Sequence, residues 1–193
     1  MMHSDIKSRP AYQALVPDLA GSRHLLVVEG ETLVAGRLEE LVQVFAPVQA
    51  TLHTWLAGAS TPMAGLGRLW QLESAADVVD ALACASRGYG VGDRLYVQGT
   101  EPFLWSMATA AAVVGFGEKQ LRLHHAGSLR RRVWCTHCHG TTEGVTTSIV
   151  ACGGCGRHLL VRDHFSRRLG AFMGVMVDAE APGEVPAVEE VFA

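Results

Sequence analysis

Charge is scarce in this 193-residue chain: Asp, Glu, Lys and Arg make up 18% of it, against 49% hydrophobic residues. Long hydrophobic runs are missing too. The alanine-rich uncharged stretch Pro102 to Gly117 falls short of the ~20 residues a membrane-spanning helix needs and contains glycine and threonine. No membrane partner is expected. The first ten residues, MMHSDIKSRP, include Asp5 and lack the apolar segment of a secretory signal, so a cytoplasmic location is expected. The net charge is only -3, which gives no overall pull toward nucleic acid or anionic lipid. Cysteines number five, an odd count, and four stand in two CxxC pairs. In a reducing compartment that pattern indicates a metal or redox site rather than a disulfide framework.

The length fits one medium domain, or one domain with a small module. Residues 1–20 carry two prolines and no period, and read as an N-terminal arm. From His24 the run HLLVV reads as a buried strand, and Leu33, Leu38, Leu41, Val42 and Phe45 share one helical face, ended by Ala46 and Pro47. VQATLHTWL is strand-like, GASTPMAGLG is a turn-rich connector, and RLWQL is a third strand. Ser74 and Asp77 then form a capping signal for SAADVVDALACAS, with a glycine-punctuated loop over Arg87 to Gly92. Cys84, on the apolar side of that helix, is expected in the core. A strand ending in Gly99, a Thr100 N-cap, an alanine-rich helix closed by Gly115 and Gly117, and a further strand complete residues 21–126. Strands alternating with amphipathic helices predict right-handed crossovers and a doubly wound, mostly parallel α/β sheet.

Beyond Gly127 the composition changes. Seven of the 16 Lys and Arg fall between Gly127 and Gly170, where only Glu143 and Asp163 are acidic. Cys135, Cys138, Cys152 and Cys155 form two knuckles that can close a tetrahedral four-sulfur site. Such a site suits structural zinc in a ribbon spanning residues 127–170, which is too small to fold on burial alone. A rubredoxin-like mononuclear iron and a [2Fe-2S] cluster are the alternatives. His137 and His139 are expected at the surface or behind the ligands. Arg162, Arg167 and Arg168, set around Asp163 and His164, are candidate docking residues for an acidic partner; a solvated face or contact with the chain's own acidic tail are the alternatives. A helical period is discernible only over His164 to Met173. Residues 171–193 read as an acidic, extended tail. The Arg130–Arg132 run raises a nucleic-acid-binding ribbon as a further alternative, against which stand the module's few aromatics; no nucleic-acid partner is expected.

The stretch RLYVQGTEPFLWSMATAAAVVGFGEKQLRLH resembles the last βαβ unit of the nicotinamide-binding domain of ferredoxin-NADP reductase relatives. Tyr96, Gly99, Pro102 and Phe103 match that frame, while Gln98 and Thr100 replace its cysteine and first proline. Where the family has a glycine-rich turn only Gly30 remains, between Glu29 and Glu31, two carboxylates that oppose a pyrophosphate. The reading is a degenerate reductase-like scaffold kept for docking, with residual nucleotide binding as the alternative. The segment CGRHLLVRDHFSRRLGAFMGVMVDAEAPGEVP, with the CTHCH knuckle, is similar to the A subunit of the dimethylamine monooxygenase family. The resemblance implies a complex that converts dimethylamine, O2 and NADPH to methylamine and formaldehyde. Haem is then expected on an oxygenase partner subunit, with FMN and a [2Fe-2S] cluster on a reductase partner. This chain would be a non-catalytic assembly subunit, or alternatively a rubredoxin-like electron carrier.

Overall fold

A computed structural model of the chain describes residues 8–34, 36–58, 64–85 and 88–193. Asp5, part of the GASTPMAGLG connector and Arg87 lie outside the described residues. The described residues divide into two compact units, Tyr12–Gly127 and a second formed by Ser128–Ala193 with residues 8–11.

In the first unit the strands β1 (Arg23–Glu29), β2 (Leu52–Ala57), β3 (Arg68–Leu72), β4 (Asp93–Gly99) and β5 (Leu121–His125) form one sheet in the order β3-β2-β1-β4-β5. Every neighbouring pair is parallel. The order shows why HLLVV does not alternate with polar residues: β1 is central, and Leu25 to Val28 are buried on both faces. Each such side chain contributes roughly 1.5–3 kcal/mol by its burial. Leu25, Val27, Leu95 and Val97 pack with Val78 and Leu82 of α2 (Ala75–Ala85) and Leu104 and Met107 of α3 (Glu101–Val113). Leu26, Val28 and Tyr96 pack on the opposite face with Leu41 and Phe45 of α1 (Arg37–Phe45).

Some local expectations shift. Helix α1 begins only after Gly36, whose φ of 84° lies in the left-handed region, and Gly30–Thr32 is a separate 3-10 turn. Ala46–Thr51 is a 3-10 turn rather than strand, begun by Pro47, which tolerates a first-turn position, and anchored by buried Val48. The Ser74–Asp77 cap is present, with Asp77 N–H donating to Ser74 Oγ and Ser74 N–H to Asp77 Oδ2. Cys84 is exposed, not in the core. Val78 and Leu82 set the buried face of α2 at i, i+4, and Cys84 lies about 200° around the helix from Leu82. From Tyr12 onward the expected arm is packed. Tyr12 Oη donates to Glu101 Oε1 (2.7 Å), Leu15 is buried, and Asp18 accepts from Arg94 Nε (2.6 Å). These contacts are specific side-chain bonds without a repeat, so no periodicity announces them.

The second unit is a five-stranded sheet in the order β7-β6-β10-β9-β8, built from β6 (Arg131–Cys135), β7 (Thr141–Val145), β8 (Ile149–Ala151), β9 (His158–Ser166) and β10 (Ala171–Met176). Only β6 and β10 pair in parallel. The helical period over His164 to Met173 is therefore misleading: β9 and β10 form a hairpin, with Gly170 at φ 59° turning the chain. Nor do residues 171–176 belong to a tail, since β10 is the middle strand. At Gly174 an added Cβ would lie 2.6 Å from Val133 Cγ1, so neighbouring strands close over it. The last residues are also tied down: Ser148 N–H donates to the Glu189 carbonyl (2.8 Å) and Val191 N–H to that of Thr146 (2.9 Å).

Candidate metal centre

The two CxxC segments fold as matching knuckles. The first turns between β6 and β7, the second between β8 and β9. In the first, His139 N–H donates to the Cys135 carbonyl (3.0 Å) and Cys135 N–H to that of Gly140 (2.9 Å). The second repeats this with Gly156 N–H to Cys152 (2.9 Å) and Cys152 N–H to Arg157 (2.8 Å). The fifth position of each knuckle needs a left-handed backbone. Gly156 supplies it at φ 73°, and His139 adopts it at φ 64° against the usual cost of roughly 1–2 kcal/mol for a residue with a Cβ. Its ring stacks on Trp134, 5.1 Å between centroids and 7° from parallel, which offsets that cost.

The knuckles bring Cys135, Cys138, Cys152 and Cys155 together, with all four sulfurs within 4.8 Å of one another. Across the knuckles Cys138 and Cys152 lie 3.6 Å apart, and Cys135 and Cys155 3.9 Å. A tetrahedron with Zn–S bonds of 2.3 Å has edges of about 3.8 Å, so the sulfurs stand where a single ion needs them. They are too far apart for a disulfide. Two irons would have to separate the cross-knuckle pairs, so the geometry disfavours a [2Fe-2S] cluster, whereas zinc and a single iron fit equally. His137 and His139 are exposed and outside the cluster.

Backbone N–H groups favour thiolates here. The N–H groups of Cys155 and Gly154 pull the Cys152 thiol down to about 6, and the Arg157 N–H lowers that of Cys155. The Gly140 N–H also favours a thiolate at Cys138, but competition with the Cys152 thiol and desolvation outweigh it and push Cys138 up to about 11. A cation held by the four sulfurs would favour their thiolate forms, most of all opposing the upward shift at Cys138. With four protein ligands, such an ion would fasten β6–β7 to β8–β9 and would offer no coordination position to a substrate.

The basic run beside the first knuckle is largely committed. Arg131 is buried between the rings of Phe172 and Phe192, 3.8 and 3.7 Å from their centroids, and its Nη2 donates to Asp163 (2.6 Å). Arg132 pairs with Glu143 (2.6 Å).

In the α/β unit, strand order reverses between β1 and β4, where an open sheet of this type receives ligands at the strand ends. There Glu29 ends β1, and its Oε2 accepts the Thr100 N–H (2.6 Å) at the start of α3. Thr100 occupies the N-cap position as expected, but its side chain makes no capping bond; the anion comes from Glu29. A Cβ on Gly99 would sit 2.6 Å from Phe103 Cδ1 and 2.8 Å from Glu29 Oε2. The adjoining cavity of about 230 Å³ is lined by Glu29, Glu31, Ala57 and Phe103 among others. A phosphate would meet a carboxylate already using that amide. The acidity of this turn was legible in the sequence; the bond from Glu29 to Thr100, 71 residues apart, carries no local signal.

Residues 4–121 match the N-terminal domain, and residues 132–175 the C-terminal domain, of the family described as dimethylamine monooxygenase subunit DmmA-like. The chain belongs to this family. It is also 32% identical, over 175 residues that make up 91% of each chain, to the heme-dependent oxidative N-demethylase delta subunit of Ectopseudomonas mendocina (strain ymp). No solved structure matches it. Among the described residues no helix is long and apolar enough to cross a membrane.

Proposed function

We propose that the chain is an assembly subunit of a multisubunit, heme-dependent N-demethylase, with a structural zinc ion on Cys135, Cys138, Cys152 and Cys155. Its likeness to a delta subunit along 91% of both chains is the observation that carries this reading. In this proposal a haem-binding oxygenase subunit and a flavin and iron–sulfur reductase subunit are its cytoplasmic partners. The complex demethylates dimethylamine to methylamine and formaldehyde with O2 and NADPH. The chain's own work is to hold those partners in register. Two features support a role without a reaction centre: the sulfur site has a closed ligand set, and Glu29 occupies the anion position at α3.

Element-resolved metal analysis of the co-expressed complex and of the isolated chain tests this. About one zinc per chain is expected, with haem and flavin in the other subunits. Flavin or haem bound stoichiometrically to the isolated chain would overturn the assembly role. A second reading, iron in the same site relaying electrons, draws on the exposure of Cys138, which places one sulfur at the surface. A visible absorption bleached by dithionite distinguishes it, because zinc gives none.

A further inference from the structure

The pleat of β9 sorts its charges. Leu159, Val161 and Phe165 are buried, and Asp163, on the same side, turns its carboxylate to Arg131, whose side chain is 5% exposed. His158, Arg162 and His164 alternate with them and are exposed. The turn after β9 adds exposed Arg167 and Arg168, and Leu169 with 38% of its surface open. The one acid in this stretch is therefore neutralised within the sheet. Among the described residues, Arg162, Arg167 and Arg168 make no ion pair, with the acidic C-terminal segment or any other group. At about 3.3 Å per residue the stripe from His158 to His164 is about 20 Å long, the scale of a protein docking patch.

We propose that this face docks an acidic protein surface on another subunit of the complex, with Arg162, Arg167 and Arg168 engaging its carboxylates and Leu169 as an apolar anchor. The inference rests on the subunit reading above and adds the chemistry of the contact. Arginine suits it, because guanidinium meets carboxylate through two parallel bonds and is weakly hydrated. A compact acidic patch fits better than an extended nucleic acid. The same unit carries the exposed residues Glu180, Glu184, Glu189 and Glu190, which repel a polyanion but need not lie under a localised partner.

The test co-expresses the chain with the haem-binding and reductase subunits and compares wild type with the variant Arg162→Glu/Arg167→Glu/Arg168→Glu. Wild type is expected to assemble with an affinity that falls as salt rises, and the variant to bind at least about tenfold more weakly. Arg→Lys at the three positions should retain most of the binding, and Lys119→Glu, an exposed charge reversal in the other unit, should change nothing. Unchanged metal content and circular dichroism show that the variant is folded; if it is not, Leu169→Asp alone must weaken assembly. Equal assembly of wild type and folded variant overturns the docking face and leaves the subunit reading standing. Failure of wild type to assemble at any salt overturns both. Retention of wild type, but not of the variant, on a DNA duplex, with assembly unaffected, assigns the face to nucleic acid and overturns the proposal.

Discussion

At the scale of single residues, several side chains hold positions that only their particular contacts explain. Glu29 is the clearest case: Glu29→Ala removes the anion at α3 and leaves the Thr100 N–H without its acceptor. A loss of about 1–2 kcal/mol is expected, seen as a lower midpoint in denaturant unfolding, and an unchanged midpoint would show that the bond is dispensable. His139 separates two effects. Glycine relieves the left-handed backbone but gives up the stack on Trp134, whereas alanine gives up the stack and keeps the strain. His139→Ala should therefore be less stable than His139→Gly by about 1 kcal/mol; the reverse order contradicts the strain argument. His24 provides a pH signature. Burial holds its pKa below the ordinary imidazole value, although its ring nitrogen meets Tyr96 Oη at 3.2 Å. The unfolded chain takes up this proton near pH 6.5 while the native chain resists, so stability falls as pH drops from about 6.5 through the native value. Asp18, held low by its bond from Arg94, adds a loss in the same direction below its ordinary value of 3.8. Unfolding measured at pH 7.5 and 5.5 should show a smaller pH effect in His24→Gln than in wild type; equal slopes would remove His24 from the account.

At the scale of elements, the second sheet depends on its middle strand. β10 joins β6 to β9 and carries Phe172, one of the two rings enclosing Arg131, while Phe192 brings the last residues onto the same guanidinium. This links the strand order to a single buried cation. Asp163→Ala, which strips that cation of its carboxylate, is expected to cost about 3–5 kcal/mol, whereas Arg132→Ala, which breaks a more exposed pair with Glu143, should cost under about 1 kcal/mol. Similar costs for the two would show that the Arg131 site is not desolvated as its burial implies.

At the scale of the molecule, all four cysteines of the candidate metal centre lie in one of the two compact units. Chelation should therefore act unevenly. Amide exchange is expected to accelerate in β6 to β10 once the metal is removed, with little change in β1 and β4, whose protection comes from apolar side chains buried on both faces. Cys152→Ser should reproduce that pattern without chelator. Uniform loss of protection across both sheets would show that the metal supports the whole chain rather than its own unit.

The sequence by itself determined the parallel α/β sheet, through unbroken apolar strands alternating with amphipathic helices, and it determined the sulfur site, because CxxC spacing is a local rule that positions two ligands per knuckle. Both signals lie within a few residues of the groups they place. Tertiary structure alone decided that Ala171–Met176 sits at the centre of a sheet, that Asp163 faces Arg131 rather than solvent, that Cys84 is exposed, and that Glu29 reaches Thr100. Those outcomes depend on which strands become neighbours, and strand pairing is set by the total burial of many distant side chains, a quantity that no short stretch of sequence contains.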